Sequence, residues 1–322
     1  ICAVMLTRRA IASAALALAL LAPGARLAAQ GPVLPTLRTA LSASADVAAE
    51  PSPEPAPEHD ALAAAMANGR TTRGFSRHRI LHLTFDDGPR AATTPRVLDL
   101  LDEYGVRATF FVVGRQLEGA RGERARDLVR DMAARGHTVG THTWDHANLS
   151  RLTEAEIESQ LERSERAFEA TLGGRPWLVR PPYGARDARV DAVLARRGYT
   201  AMLWNLTSSD TVTRDPDVMV ERFRAQLDRQ ERHPRGPGGI VLFHDTHEHT
   251  VEALPRILDE VRARNCALLD APGEELWDLA GDPRLYFQAR EGAAAATSVR
   301  LDAATLAARQ ALVRAEAERY CR

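Results

Sequence analysis

The chain has 322 residues, more than one typical domain needs and fewer than two large ones, and its 42 basic residues nearly balance its 43 acidic ones. This balance gives no electrostatic support to a nucleic-acid-binding role. Every one of those basic residues is an arginine. The absence of lysine excludes a Schiff-base lysine and a Walker-type phosphate loop.

Residues 1–29 predict an export signal, with Met5 as the initiator. Arg8 and Arg9 form a positive n-region, residues 11–22 are apolar, and small residues follow where a signal peptidase would cleave. The apolar run is too short for a permanent membrane span, which takes about 20 residues. Ordinary secretion and a twin-arginine route both suit the arginine pair, and an uncleaved signal anchor is the alternative. The protein is therefore expected in the periplasm, the cell envelope or the medium.

Residues 30–77 predict a Pro/Ala-rich linker. Prolines alternate with other residues over positions 50–57, and such a segment builds neither a helix nor a sheet ladder. A folded domain is expected over residues 78–270. Residues 271–322 are expected to form a C-terminal extension that is partly helical.

Short apolar runs alternate with amphipathic stretches from residue 78 onwards. The predicted strands are Ile80–Phe85, Arg107–Val112, His137–Thr141, Trp177–Arg180, Tyr199–Trp204, Gly239–Phe243 and, more weakly, Ala267–Asp270. The predicted helices are Thr94–Tyr104, Glu123–Arg135, Glu154–Leu172, Ala188–Arg197, Pro216–Glu231, Thr250–Arg264 and Leu301–Arg319. This alternation predicts a parallel sheet with helices outside it.

Two architectures fit a parallel sheet of this kind, an open doubly wound sheet and a closed barrel. Polar residues follow the ends of many different strands, and they converge only if the strands ring a common mouth. We therefore predict an incomplete α/β barrel of about seven strands. The polar residues at the strand ends are Asp86, Asp87, His142, Arg180, Asp210 and His244.

The sequence Thr-Phe-Asp-Asp-Gly-Pro of residues 84–89 places two adjacent carboxylates at the end of a strand. Because neighbouring residues of an extended chain point opposite ways, one carboxylate can hold a metal while the other faces an attacking water. His142 and His146 are four residues apart, which suits two ligands on one face of a helical turn. Two histidines and one carboxylate leave coordination positions open, as a catalytic metal site requires.

Two further strand ends carry candidate residues. Arg180 precedes a rigid Pro-Pro-Tyr-Gly turn and can hold a carboxylate in a bidentate fork. His244 ends the sixth predicted strand. With the carboxylates and histidines above, these residues form the set that a metal-dependent hydrolase needs.

In this order, the motifs of residues 84–89 and 142–146 resemble those of the polysaccharide deacetylase family, the NodB-homology domain of carbohydrate esterase family 4. The resemblance spans roughly residues 79–270. It implies a distorted, incomplete (β/α) barrel, a hydrolase acting on non-peptide carbon–nitrogen bonds, and one divalent metal ion, usually Zn²⁺, with Co²⁺ or Ni²⁺ as alternatives.

The resemblance also implies a role for each matching residue. Asp86 matches the general base, and the metal ligands match Asp87, His142 and His146. Arg180 matches the residue that orients the base. Tyr183 matches the residue whose backbone N–H helps to bind the oxyanion, and Leu242 matches a wall of the pocket for the acetyl methyl group. His244 matches the general acid, and Asp210 matches the acidic partner that orients this histidine.

One position departs from the family pattern. Where the family commonly has a tryptophan after the acidic partner, this chain has Thr211. The match of Asp210 to the acidic partner is therefore open, and Asp215 is the alternative for this role.

The expected substrate is an acetylated carbohydrate polymer, most readily the N-acetyl groups of peptidoglycan or a chitin-like polymer, and the protein is expected to be a monomer. Three alternatives remain at this stage: an O-acetyl xylan esterase, a small-molecule amide hydrolase of the same superfamily, and a non-catalytic sugar-binding domain on this scaffold. Cys266 and Cys321 would remain after signal removal, either bridged or as two separate thiols.

Overall fold

The computed structural model describes residues 71–287 and 301–322. The strands within these ranges are β1 (Thr71–Thr72), β2 (Ile80–Asp86), β3 (Thr109–Val112), β4 (Thr138–Thr141), β5 (Leu178–Val179), β6 (Thr200–Met202), β7 (Leu206–Thr207), β8 (Gly239–His244) and β9 (Asp278–Leu279). The α-helices are α1 (Thr94–Glu103), α2 (Glu123–Ala134), α3 (Glu154–Leu172), α4 (Ala188–Arg196), α5 (Pro216–Gln230), α6 (Glu248–Leu268) and α7 (Ala303–Cys321).

Strands β2 and β8 are neighbours in the sheet, and every residue of both is buried. β2 pairs in parallel with β3 on one side and with β8 on the other. Strands covered on both faces read as continuous apolar runs rather than alternating ones. The run from Ile80 to Phe85 departs from this pattern at His82 and Thr84, whose side chains are buried but hydrogen-bonded.

The strands follow the order β1-β6-β5-β4-β3-β2-β8-β7, with β9 pairing to the start of β2, and the ladder pairs are parallel. Residues 200–207 contain both β6, which pairs with β5, and β7, which pairs with β8. This segment links the two ends of the sheet. The predicted distorted, incomplete (β/α) barrel is thereby confirmed.

The helices pack their apolar faces against the sheet. In α3, the buried face includes Ile157, Leu161 and Phe168. Thr153 and Glu156 form a capping box at its start, and Gly173 ends it in the left-handed conformation with φ of 75°. The local sequence thus sets both ends of a helix that supports one side of the barrel mouth.

Aromatic side chains fill the space between the sheet and the helices. Phe85 stacks on Phe110 and Phe243, with ring centroids 5.0 and 5.2 Å apart. All three rings belong to neighbouring strands and are almost fully buried. They fix the spacing of the strands that end in the polar residues of the mouth.

The C-terminal helix α7 is fastened to the outside of the barrel. Arg309 forms an ion pair with Asp278 at 2.6 Å, and Gln310 exchanges two hydrogen bonds with the backbone of Leu276. A disulfide joins Cys266 of α6 to Cys321 of α7. Of the two states that the sequence left open for these cysteines, the structure has the bridged one.

Several sequence expectations need correction or lie outside the described residues. Ala267–Asp270 is not a strand, because α6 continues to Leu268 and a turn follows. The sheet also extends past the predicted limits of 78 and 270, since β1 and β9 pair with β6 and β2. The predicted signal and nearly all of the predicted linker precede residue 71. Among the described residues, no helix combines the length and the apolar character that crossing a bilayer requires.

Candidate active site and metal centre

The carboxyl ends of the parallel strands bring the predicted polar residues to one mouth. Asp86 ends β2 and pairs in register with His244, which ends β8. Arg180 directly follows β5, and Asp210 follows β7. Residues that are more than 150 positions apart in the sequence therefore become neighbours because their strands are adjacent.

Asp87, His142 and His146 form a compact ligand group within this mouth. One ligand atom from each lies within 4.8 Å of the others. Oδ1 of Asp87 is 3.5 Å from Nε2 of His142 and 3.3 Å from Nε2 of His146. This oxygen is buried and has no hydrogen-bond partner among the described residues. A carboxylate oxygen between two imidazole nitrogens fits a divalent cation of the zinc type.

The two histidines do not lie on a helical turn, contrary to the sequence expectation. Residues 142–146 form an irregular loop in which Thr143 and His146 have positive φ values of 69° and 64°. The side chain of Gln160 holds this loop by accepting hydrogen bonds from the backbone N–H groups of Trp144 and Asp145, at 3.1 and 3.2 Å. The imidazoles converge because the loop folds back, not because of helical spacing.

Asp87 also departs from the expected strand alternation. Its φ is 71°, so the chain leaves the extended conformation directly after Asp86. Both carboxylates consequently approach the same nitrogen, since Oδ2 of Asp86 is 3.7 Å from Nε2 of His142. Gln116 donates to the backbone carbonyl of Asp87 at 2.6 Å and helps to hold this conformation.

The orientation of His142 is fixed by its second ring nitrogen. Nδ1 lies 2.7 Å from the backbone carbonyl of Arg180, so it carries the hydrogen and Nε2 turns to the ligand group. Burial lowers the pKa of His142 to about 3. The imidazole is therefore neutral, which is the form that binds metals.

Arg180 is fully buried behind Asp86. Its Nη1 donates to Oδ1 of Asp86 at 2.8 Å and to the hydroxyl of Thr84 at 2.7 Å, and its Nε donates to the carbonyl of Met202 at 2.8 Å. Nη2 donates to the carbonyl of Leu203 at 3.3 Å. The expected bidentate fork is therefore not formed, because the guanidinium divides its hydrogen bonds among four groups. Burial raises the pKa of Asp86, and the charge of Arg180 opposes this shift.

His244 and Asp210 form a buried pair. Nδ1 of His244 is 2.9 Å from Oδ1 of Asp210, and the backbone N–H of His244 donates to Oδ2 at 2.7 Å. Burial opposes the charged imidazole, but the hydrogen bond and charge of Asp210 prevail and raise the pKa of His244 to about 9. Asp215 instead caps the start of α5 through the N–H groups of Asp217 and Val218. The acidic neighbour of His244 is thus Asp210.

The remaining predicted residues surround the same mouth. Tyr183 lies in a short 3₁₀ turn with φ of 62°, and its ring meets that of His146 edge-on at 4.6 Å. Leu242 lies two residues before His244 on β8, so both side chains point to the same face of the strand. Thr211, at the position of the missing tryptophan, is exposed.

Sequence reasoning missed residues that support the mouth from behind. Gln160 is one of them, and Asp245 is another. The buried carboxylate of Asp245 accepts a hydrogen bond from Thr94, and a Cβ at Gly88 would lie 2.4 Å from its oxygens. This close approach explains why glycine follows the two aspartates. The sequence signal was present in the His-Asp pair of residues 244–245, but partners so distant in sequence are visible only in the fold.

Residues 74–202 match the sequence profile described as polysaccharide deacetylase. The chain is 34% identical over 189 residues to the chitin deacetylase of Colletotrichum lindemuthianum, an alignment that covers 58% of this chain and 75% of that protein. The solved structure of that fungal enzyme superposes with a TM-score of 0.53 over 60% of this chain and 85% of that chain.

Two bacterial proteins are similar to the same part of the chain. The chitooligosaccharide deacetylase of a Bradyrhizobium species is 32% identical over 209 residues, with 60% of this chain and 90% of that protein covered. The peptidoglycan-N-acetylglucosamine deacetylase of Listeria monocytogenes is 32% identical over 182 residues, with 56% of this chain covered. The chain spans only 36% of the length of the Listeria protein.

Proposed function

The chain belongs to the polysaccharide deacetylase family, and we propose that it is a metal-dependent hydrolase that removes acetyl groups from a carbohydrate polymer. The N-acetyl groups of an amino-sugar polymer, of the peptidoglycan or chitin type, are the proposed substrate. One observation carries the proposal: the unpartnered carboxylate oxygen of Asp87 between His142 and His146, with Asp86 and His244 directly beside it.

Asp87, His142 and His146 are the proposed ligands of one divalent ion, for which Zn²⁺ suits the donor set best. When bound, such an ion lowers the pKa of a coordinated water toward about 7 and polarises a carbonyl group. The neutral state of His142 and its hydrogen bond to the Arg180 carbonyl support this assignment.

Asp86 is the proposed general base. Arg180 engages its Oδ1, which leaves Oδ2 directed toward the ligand group and able to take a proton from the attacking water. The buried guanidinium therefore acts as a positioning group. It holds the carboxylate at one oxygen, and its charge opposes the rise in the pKa of Asp86 that burial causes.

His244 is the proposed general acid. Asp210 holds Nδ1, while Nε2 faces the mouth, 3.9 Å from Oδ2 of Asp87. A protonated imidazole in this position can give its proton to the leaving amine. Tyr183 is proposed to offer its backbone N–H to the oxyanion, and Leu242 to contact the acetyl methyl group.

The protein is proposed to act outside the cytoplasm as a monomer. Residues 1–29 support the location by their charged and apolar segments, and the relatives support it by the polymers in their names. Size-exclusion chromatography of the purified protein checks the oligomeric state.

Acetate release from chitin oligomers, peptidoglycan and acetylated xylan tests the function. We expect zinc-loaded protein to release acetate from at least one amino-sugar polymer, and metal removal by a chelator to stop it. Release from xylan alone would redirect the proposal to an esterase. Polymer binding without acetate release, at full zinc occupancy, would identify a sugar-binding domain instead.

A further inference from the structure

A second group of one carboxylate and two imidazoles lies on the side of His244 that faces away from Asp87. Ligand atoms of Asp210, His244 and His247 all lie within 4.8 Å of one another, the same limit that applies to the ligand group of Asp87. One oxygen and two imidazole nitrogens form a donor set that suits a borderline divalent cation. The catalytic roles proposed above make no use of His247.

His247 precedes α6 and directs a ring nitrogen into the protein. Its Nδ1 is buried and has no hydrogen-bond partner within the described part of the chain. The ring centroid is 5.5 Å from that of His244, and the ring of His249 stacks on it at 4.9 Å. A buried polar atom without a partner carries a free-energy cost. A cation beside Nδ1 would remove that cost.

The contact between Asp210 and His244 has dimensions close to those of a metal site. Oδ1 and Nδ1 are 2.9 Å apart. Two ligand atoms at about 2.0–2.1 Å from a tetrahedral zinc ion lie about 3.3 Å apart. A cation can therefore replace the hydrogen that the two atoms share after a small separation of the side chains. That hydrogen leaves to solvent as a proton.

The second group should bind a cation more weakly than the first. Both carboxylate oxygens of Asp210 already accept hydrogen bonds, from the ring and backbone of His244 and from the hydroxyl of Thr250. The ion must displace the hydrogen bond to the ring before it can bind. Oδ1 of Asp87, by contrast, accepts no hydrogen bond from any residue that the structure describes.

We propose that Asp210, His244 and His247 form a second, weaker and inhibitory site for a divalent cation such as Zn²⁺. An ion on Nδ1 keeps the imidazole of His244 neutral and separates it from Asp210, so Nε2 no longer readily gives up a proton. The inhibitory part of this inference rests on the proposed function, whereas the binding part does not.

Equilibrium dialysis against increasing zinc concentrations tests the binding part. We expect wild-type protein to take up one equivalent tightly and a second one more weakly. His247→Leu should take up the first equivalent only, because it removes one ligand of the second group. His249→Gln is the matched control, since it removes a neighbouring imidazole that lies outside the group but keeps an N–H donor for the backbone carbonyl of Asp210, which His249 contacts at 2.8 Å. It should retain both equivalents.

Acetate release measured on the same samples tests the inhibitory part, with each protein compared with its own activity at one equivalent of zinc. Filling the second site should lower the activity of wild type and His249→Gln at least about tenfold and leave that of His247→Leu unaffected. Three results would each overturn the proposed second site. Wild type could bind only one equivalent of zinc, His247→Leu could retain the second equivalent, or both variants could lose the second equivalent. Two equivalents in a protein that never releases acetate would instead count against the proposed deacetylase function and leave the cation site standing.

Discussion

His244 makes two hydrogen bonds to one carboxylate, one from its ring and one from its backbone, and this arrangement favours the charged form of the imidazole. Oδ1 of Asp210 accepts a hydrogen bond from the ring of His244, and Oδ2 accepts one from its backbone N–H. Burial raises the pKa of Asp210, yet the bonds from His244 outweigh it and lower that pKa. Each partner thus stabilises the charge of the other, as expected for an acid that must hold a proton until a leaving group needs it.

Replacement of His244 by alanine should separate catalysis from metal binding. We expect His244→Ala to lower turnover by about 10²- to 10⁴-fold, because no group remains to protonate the leaving amine. The zinc content at one equivalent should equal that of wild type, since His244 is outside the group of Asp87. Acetate release and metal analysis on the same preparation make the measurement. Unchanged turnover would remove His244 from the proposed mechanism.

The two adjacent aspartates should respond differently to the same substitution. Asp87→Asn exchanges an anionic ligand for a neutral one, so zinc affinity and activity should fall together. Asp86→Asn leaves the three ligands in place, so about one zinc per chain should still bind while activity falls by about 10²-fold or more for lack of a base. Competition with a fluorescent chelator gives the affinities, and acetate release gives the activities.

Excess metal provides the control for this pair. Zinc that raises the occupancy of Asp87→Asn should restore part of its activity, whereas Asp86→Asn should stay inactive at every zinc concentration. Both variants are made in the His247→Leu background, which lacks the proposed second site, so that excess zinc does not inhibit through it. Rescue of the Asp86 variant by added metal would mean that the two roles are reversed.

At the scale of secondary-structure elements, the sequence predicted most of the structure because the local patterns are strong. The helix of residues 154–172 was predicted with the bounds it has, since a capping box begins it and a glycine ends it. β7, with two residues, was missed as a separate strand because such a short segment has no periodicity to read. The separate pairing of β6 and β7 depends on tertiary contacts alone.

The site was predicted by residue type and strand position, but not by local backbone conformation. Asp87, His146 and Tyr183 each have positive φ, which spacing along the sequence does not reveal. Such conformations persist in non-glycine residues only where surrounding contacts enforce them. The expected helical turn at His142 and the expected alternation at Asp87 were wrong for this reason.

Gln160 is one of the contacts that hold the loop carrying His142 and His146. Gln160→Leu removes the acceptor for two backbone N–H groups and should weaken zinc binding about 10- to 100-fold, as loss of a group that orients metal ligands does. Gln160→Glu keeps an acceptor oxygen in the same place and should retain most of the affinity. Zinc affinity by chelator competition is the measurement.

Gln226→Leu is the matched control for this prediction. Gln226 also holds a backbone N–H through Oε1, that of Thr207 at 3.1 Å, but on the strand that leads to Asp210. Its loss should leave zinc affinity unchanged. An equal loss of affinity in both leucine variants would indicate general destabilisation rather than positioning of the loop.

At the scale of the whole molecule, the barrel mouth and the C-terminal helix are on different parts of the structure. Helix α7 contacts α6 and β9, which pairs with the start of β2, whereas the site lies where β2 ends. The disulfide joins α7 to α6, and Arg309 and Gln310 additionally fasten α7 to Asp278 and Leu276. Its expected contribution is therefore to stability and not to catalysis.

Removal of the disulfide tests this separation. Cys266 and Cys321 are 55 residues apart in the sequence, and the chain-entropy relation assigns about 4 kcal/mol to a loop of that length. The double variant Cys266→Ala, Cys321→Ala should lose about that much free energy of unfolding in urea while retaining its acetate release under native conditions. Reduced wild-type protein should behave in the same way, because it lacks the same constraint.

In unreduced, denatured protein carrying Cys2→Ser, thiol titration should find no reactive thiol. Two reactive thiols per chain, or a double variant as stable as wild type, would show that the bridge does not hold α7 in place.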